Sequence, residues 1–274
     1  RLPRTWEKIA LLRGRISDVE MRKMNADAEL RSESFSDIAA RYVEHQPAYE
    51  DGSAVSPGPS EPTPFLQRLF GPDFLRLTGE HVTLVLLSLA LGVIVGVPLG
   101  VWAARRPRAA KLILGSVGVI QTIPSLALLA FLIPVFRRIG LVPALAALFL
   151  YSLLPIVRNT YTGLTDIAPS LQESSIALGL PRLARLRLIE LPLASRSILA
   201  GIKTSAVINV GTATIAAFIG AGGYGERIAS GLALNDHQML LAGAIPAAAL
   251  ALLAEAAFGW MEKLIVPRAL RLSR

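Results

Sequence analysis

From Phe65 to its last residues this chain is written in apolar runs of roughly twenty residues, separated by short basic connections. A helix needs about 20 such residues to cross the hydrocarbon core of a bilayer. Inside that core it is one of only two structures that satisfy every backbone N–H and C=O. Five segments meet the length, at 82–103, 112–136, 141–161, 198–219 and 238–260. A buried soluble core holds one or two such runs. Five at regular spacing specify an all-α, polytopic membrane protein of about five transmembrane helices. Composition agrees. Only 18% of the residues are charged and the mean hydropathy is +0.51, whereas soluble domains carry about 25% charged residues. Pro98, Pro124, Pro134, Pro155 and Pro246 fall inside the runs, where membrane helices tolerate proline. Gly92, Gly96 and Gly100 make a small-xxx-small ridge on the first, suited to close helix contact.

Several function classes drop out. The chain has no cysteine, so disulfides, thiol chemistry and cysteine-based metal sites are excluded. His45, His81 and His237 stand far apart and in no ligand spacing, so no metal or other cofactor is expected. The net charge of +8 suits nucleic acid, but the basic residues lie in short runs between apolar segments. That is the signature of cytoplasmic loops.

The same runs set an orientation. Arg105, Arg106, Arg108 and Lys111 fill the first connection. Arg158, Arg182, Arg185, Arg187 and Arg196 fill the third, with Lys203 at the start of the next helix, and Lys263, Arg268, Arg271 and Arg274 end the chain. The other side holds Arg68, Arg76, Arg137, Arg138 and Arg227. Five spans with a cytoplasmic C-terminus put the N-terminal piece outside the cytoplasm.

That piece, residues 1–49, is polar. Thr5 to Arg13 reads as a short helix ending at Gly14, and Ser17 with Glu20 has capping-box spacing for a helix through Asn25. Ser34 caps a third through His45, with Phe35, Ile38, Ala39, Tyr42 and Val43 on one face. Three such helices hardly bury a core of their own and read as the end of a larger domain. The chain begins with Arg1 and shows no signal-peptide pattern. Together these features read as a fragment or a processed product. Residues 50–64, "EDGSAVSPGPSEPTP", have linker composition, and residues 65–274 hold the spans.

Residues 162–197 form the longest inward connection. Gly179, as a C-terminal cap, and Pro181, in a first turn, divide it into two short helices. Its "ESSIALG", nine residues, then "IELP" resembles the EAA loop of the permeases of ABC importers. Glu173, Gly179, Ile189, Leu191 and Pro192 fall in register, with Ser174 and Ser175 where the family pattern has alanines. In that family the loop docks into a groove of the ATPase subunit. Residues 119–164 and "FIGAGGYGERI" at 218–228 are similar to the osmoprotectant branch, the permeases for glycine betaine, choline and related quaternary amines. Residues 11–43 are similar to the C-terminal end of that system's substrate-binding protein, as if its remnant were fused ahead of the permease.

The resemblance implies a type I ABC importer permease fold in the bacterial inner membrane and no enzymatic activity of its own. Its implied partners are a cytoplasmic ATPase, a second permease half, identical or not, and a substrate-binding protein or domain. No Walker A motif occurs, so ATP hydrolysis belongs to a partner. "GAGGYG" at 220–225 follows a helix and lacks a Lys-Ser/Thr, so it reads as a tight turn. Two alternatives stand beside this reading. One is an importer for methionine or another amino acid, since the loop pattern is shared across substrates. The other is a secondary transporter driven by ion gradients, for which Glu255 is the only well-embedded carboxylate.

Polar residues in the spans are few. Gln121, Thr122, Asn209 and Thr212 either bond across helices or line a water-filled path. Thr122, Pro124 and Ser125 open the second helix locally, so the candidate path is Gln121, Thr122, Pro124, Ser125 and Asn209. Glu255, near Lys263, marks the inner interface. Tyr151, Tyr161 and Trp102 read as interfacial aromatics. The spans show no aromatic cage for a quaternary ammonium, so solute choice is assigned to the binding domain.

Overall fold

The computed structural model describes residues 16–30, 35–44 and 64–266. Helix Thr5–Arg13, the Ser34 cap, nearly all of the linker and the last basic residues lie outside these. Two short helices come first, α1 (Asp18–Leu30) and α2 (Phe35–Glu44). The capping box is formed: Ser17 Oγ accepts from the Glu20 N–H at 3.2 Å, and the Glu20 carboxylate accepts from the Ser17 N–H at 2.9 Å. So satisfied, α1 runs past Asn25 to Leu30. On α2 Ile38 is buried while Ala39 is exposed. Arg41 reaches Asp27 of α1 at 3.6 Å.

The membrane portion opens with α3 (Phe65–Leu69) and α4 (Phe74–Arg105). Then follow α5 (Pro107–Thr122), α6 (Ser125–Phe136) and α7 (Leu141–Thr165). After the connection come α10 (Leu191–Ala216), α11 (Gly225–Ala233) and α12 (His237–Ile265). Between α7 and α10 lie α8 (Pro169–Ala177) and the single turn α9 (Arg182–Arg185). All described regular structure is helical. Four helices are long and apolar enough to cross a bilayer, and α5 and α6 pass the same test together as a pair bent by 104°, a fifth crossing if the pair is one broken span.

α4 begins eight residues before the apolar run at 82, and its polar first turns carry tertiary partners. Arg76 bonds Glu80 at 2.8 Å and Glu226 at 2.9 Å, and Glu80 also accepts the Gly223 N–H at 2.9 Å. The bend in the second span has a local cause. Pro124 pushes Ile123 out of helical geometry, to φ −72° and ψ 127°. The Ile123 carbonyl, cut off from the helix ladder, accepts from the Tyr151 hydroxyl. Tyr151 is therefore a buried clamp inside the bundle, not an interfacial residue; an aromatic at that position looks interfacial only while its partner on α5 is unknown. Pro98, Pro134, Pro155 and Pro246 stay inside continuous helices.

α7 is the central helix. The glycine ridge of α4 lies on it: a Cβ at Gly92, Gly96 or Gly100 would overlap Ser152, Ile156 or Thr160. Gly201 brings α10 equally close to Pro155 and Asn159. Leu84 and Val85, Ala144 and Leu148, and Val210 and Ala213 meet where α4, α7 and α10 converge. Two polar ties cross this seam: Asn209 donates to Ser88 Oγ at 2.9 Å, and Ser205 donates to the Ser152 carbonyl at 2.8 Å.

The bundle has two chemically distinct ends. At one, Arg227 is buried and forks onto Asp73 at 2.6 and 3.0 Å, with further bonds to the Leu69 and Ala242 carbonyls. Arg68 meets Asp236 at 2.8 Å at the same end. Hydrogen bonds from Arg227 hold the Asp73 carboxyl below its ordinary range, against a burial effect that raises it. Burial likewise raises Asp236, but bonds from the Met239 N–H and Arg68 outweigh it and leave it lowered. Gly222 and Gly223, both at φ 84°, seat the turn after α10 against Glu80 and His81, where a side chain would collide. The other end gathers Arg105 at the end of α4, Arg106 just after it, α8, α9 and the start of α10.

Candidate coupling segment and translocation face

The segment between α7 and α10 is built to protrude as a rigid knob. Pro169 stands in the first turn of α8 and Ala168 before it is extended, which starts the helix sharply. It ends as sharply. Gly179, at φ 70°, donates to the Ile176 carbonyl at 2.9 Å, and Leu180 donates to the Ser175 carbonyl at 3.4 Å. That is the Schellman pattern, closed by glycine in the left-handed region. Ser174 Oγ bonds the Ser170 carbonyl at 2.8 Å, and Ser175 Oγ the Gln172 carbonyl at 2.6 Å. Both hydroxyls are satisfied within α8. Ser175 is buried, whereas Glu173 and Ser174 are exposed, and Glu173 has no hydrogen bond or ion pair among the described residues.

Ile189, Leu191 and Pro192 stand at the root of the knob rather than on it. The sequence reading placed a second short helix after Pro181; instead α9, a π turn at Leu186–Glu190 and α10 form one continuous helix from Arg182 to Ile219. Pro192 has no N–H for the Leu188 carbonyl. The chain widens one turn earlier, with the Leu191 N–H reaching back to the Leu186 carbonyl. Glu190 pairs with Arg105 of α4 at 2.7 Å. Beneath them Leu164, Ile167 and Ala194 pack with Val101 and Leu186. α8 is thus carried between two long helices, α7 and α10.

The knob carries apolar side chains that the sequence reading passed over. Leu171, Ile176, Leu178 and Leu183 are all exposed, Leu178 to 76%. Leu171, Ile176 and Leu178 lie outside the membrane-crossing helices, and Leu183 stands in the first turn of the continuous helix that begins at Arg182. Their signal was present in the sequence, but within an apolar chain a few leucines between charges do not stand out.

The candidate path residues divide. Thr122 and Pro124 are exposed at the α5–α6 break and Ser125 is half-buried. Thr122 Oγ1 bonds the Val119 carbonyl at 2.7 Å, and the Gln121 Oε1 is buried with no hydrogen-bond donor among the described residues. Asn209 stands apart from them, fully buried between α4 and α10. The face of α10 that stays open carries Ala200, Thr204 and Gly211. Glu255 does not partner Lys263 but forms an ion pair with Lys203 of α10, and Arg196 meets Glu262 two turns further along at 3.3 Å. Among the described residues no three His, Asp or Glu side chains cluster as metal ligands.

Residues 96–271 match the family described as binding-protein-dependent transport system inner membrane component. The chain is 43% identical to the glycine betaine/carnitine/choline transport system permease protein OpuCB of Bacillus subtilis (strain 168), over 73% of this chain and 92% of that protein. It is 45% identical to the choline transport system permease protein OpuBB of the same strain, over 72% and 90%. To the osmoprotectant import permease protein OsmW of Salmonella typhimurium it is 42% identical, over 71% and 93%. Among solved structures, an inward-facing conformation of the MetNI methionine ABC transporter superposes with a TM-score of 0.65 at 22% identity, covering 70% of this chain and 96% of that one. The long apolar helices, the capped knob at the basic end and these relatives agree, and the chain belongs to the binding-protein-dependent inner membrane components, the permeases of ABC importers.

Proposed function

We propose that this chain moves quaternary-ammonium osmoprotectants such as glycine betaine, choline or carnitine into the cell, driven by ATP that a separate subunit hydrolyses. The observation that carries the solute class is the 42–45% identity to permeases of that description, extending over about nine-tenths of their length. The likeness to the methionine transporter lies below the identity that speaks to substrate. An ion-gradient mechanism routed through Glu255 would draw on a carboxylate already engaged by Lys203.

In this reading α8 is the coupling helix. Glu173 offers a free carboxylate to the ATPase, the exposed leucines fill an apolar groove there, and Ser174, Ser175 and Gly179 keep the knob rigid. Ile189, Leu191 and Pro192 pass its movement into α10. ATP-driven closure of two ATPase subunits rocks α7 and α10, opening a path between two permease halves. The path passes the break at Gln121, Thr122, Pro124 and Ser125 and the open face of α10, with Asn209 holding α10 against α4 behind it. The basic end faces the cytoplasm in this reading, because Arg105, Arg106, Arg108, Lys111, Arg182, Arg185 and Arg187 gather there, in line with the positive-inside rule. Residues 1–49 then lie outside as the end of a substrate-binding domain, joined by the 50–64 linker to the permease at 65–274. That domain selects the solute.

Purification of the intact membrane complex tests this assignment. An ATPase subunit should co-purify, and its hydrolysis should rise with betaine or choline when the binding protein or domain is present. A complex without an ATPase, or hydrolysis that responds to methionine alone, contradicts it.

A further inference from the structure

Two cavities adjoin at the basic end and share Arg106. The first, of about 500 Å3, lies between the end of α4, α8 and α9. Arg105, Arg106, Arg182 and Arg185 line it against a single carboxylate, Glu190, with Gln172 beside them. Glu190 is already taken by Arg105. The Nε of Arg185 is buried in the wall and has no acceptor among the described residues. Buried donors in folded proteins find partners, and guanidinium groups gathered without a carboxylate call for an anion. The second cavity, of about 660 Å3, is lined by Trp102, Arg106, Pro107, Arg108 and Ala109. Trp102 is 57% exposed in the last turn of the first span. An amphipathic ring at that depth marks the headgroup level of a bilayer.

We propose that the arginine cavity binds a phosphate-bearing anion, and that the Trp102 groove beside it makes this anion the headgroup of an anionic phospholipid. The phosphate sits among Arg106, Arg182 and Arg185, where planar forks fit its oxygens, and the start of the acyl chains lies along Trp102. Bound there, the lipid joins the end of the first span to α9 and stiffens the root of the coupling knob. The proposal rests on reading the chain as a membrane permease and is independent of which solute it carries.

Native mass spectrometry of the detergent-purified complex, exposed to phosphatidylglycerol or to phosphatidylcholine, tests it. Phosphatidylglycerol should be retained in preference. Taking about 1 kcal/mol for each basic side chain near a lipid phosphate, Arg182→Gln with Arg185→Gln should lower that retention by roughly tenfold or more. Glu190→Gln, which frees Arg105, should raise it, an opposite change that mere misfolding does not produce. Equal retention of both lipids, or retention unmoved by either variant, overturns the proposal. Stabilisation by inorganic phosphate with no lipid preference keeps the phosphate chemistry and overturns the lipid. Retention is read without transport, so an error in the solute leaves this result standing.

Discussion

Two residues bear most on mechanism and stability. At Gly179 no heavy atom lies within 4 Å of where a Cβ would stand, so the cost of substitution is conformational. A left-handed backbone costs a Cβ-bearing residue about 1–2 kcal/mol, and a β-branched one more. Gly179→Val should leave insertion and abundance intact but fray the end of α8, lowering solute moved per ATP hydrolysed severalfold. Uptake and hydrolysis measured on the same proteoliposomes decide it; a wild-type ratio contradicts the role of the cap. At the opposite end Asp73 neutralises an Arg227 side chain that is only 4% exposed. Asp73→Asn strands that charge, and because Asp73 is itself about one-third exposed the cost is discounted to roughly 2 kcal/mol. The folded-state pKa of Asp73 is depressed from 3.8, so its stabilisation is present above that value and lost as pH falls through the lowered one. In thermal unfolding the gap between wild type and variant should therefore be full at neutral pH and shrink below about pH 4. A gap that does not change with pH counts against the pairing.

Helix contacts are set by size as much as by hydropathy. A Cβ at Gly100 would stand 2.5 Å from the Thr160 Cβ, and Gly100→Val must push α4 off α7. Overpacking of that kind costs about 1–3 kcal/mol, so the variant should unfold earlier in detergent, whereas Gly115→Val, where the structure shows open space, should not. Equal effects of the two would refute the ridge. Such features were legible in the sequence because they are local: the Gly92–Gly100 spacing, the Ser17–Glu20 box, Gly179 as a cap, and a weak point near Pro124. What escaped the sequence depends on partners far along the chain. Asp73 and Arg227 are 154 residues apart, and no pattern announces that Lys203 finds Glu255 or Tyr151 finds Ile123. The second short helix after Pro181 was misread for the same reason: a π turn absorbs Pro192, and hydropathy cannot show that a charged helix runs on into an apolar one.

At the scale of the whole molecule, the proposed orientation takes the bent α5–α6 pair as one crossing and so puts the two ends of the membrane portion on opposite sides. This cysteine-free chain allows a direct check. Ser53→Cys should react with an impermeant thiol reagent from outside the cell, and Ser174→Cys only after permeabilisation and removal of the ATPase; the reverse pattern would invert the proposed orientation. The central claim is that ATP, acting through α8, drives a quaternary-ammonium solute along a path this chain helps to form. Radiolabelled uptake into proteoliposomes holding the permease, its ATPase and the complete binding domain tests it most directly. The account predicts saturable betaine or choline uptake that needs ATP inside and no ion gradient. Uptake that a sodium or proton gradient sustains without ATP would contradict it.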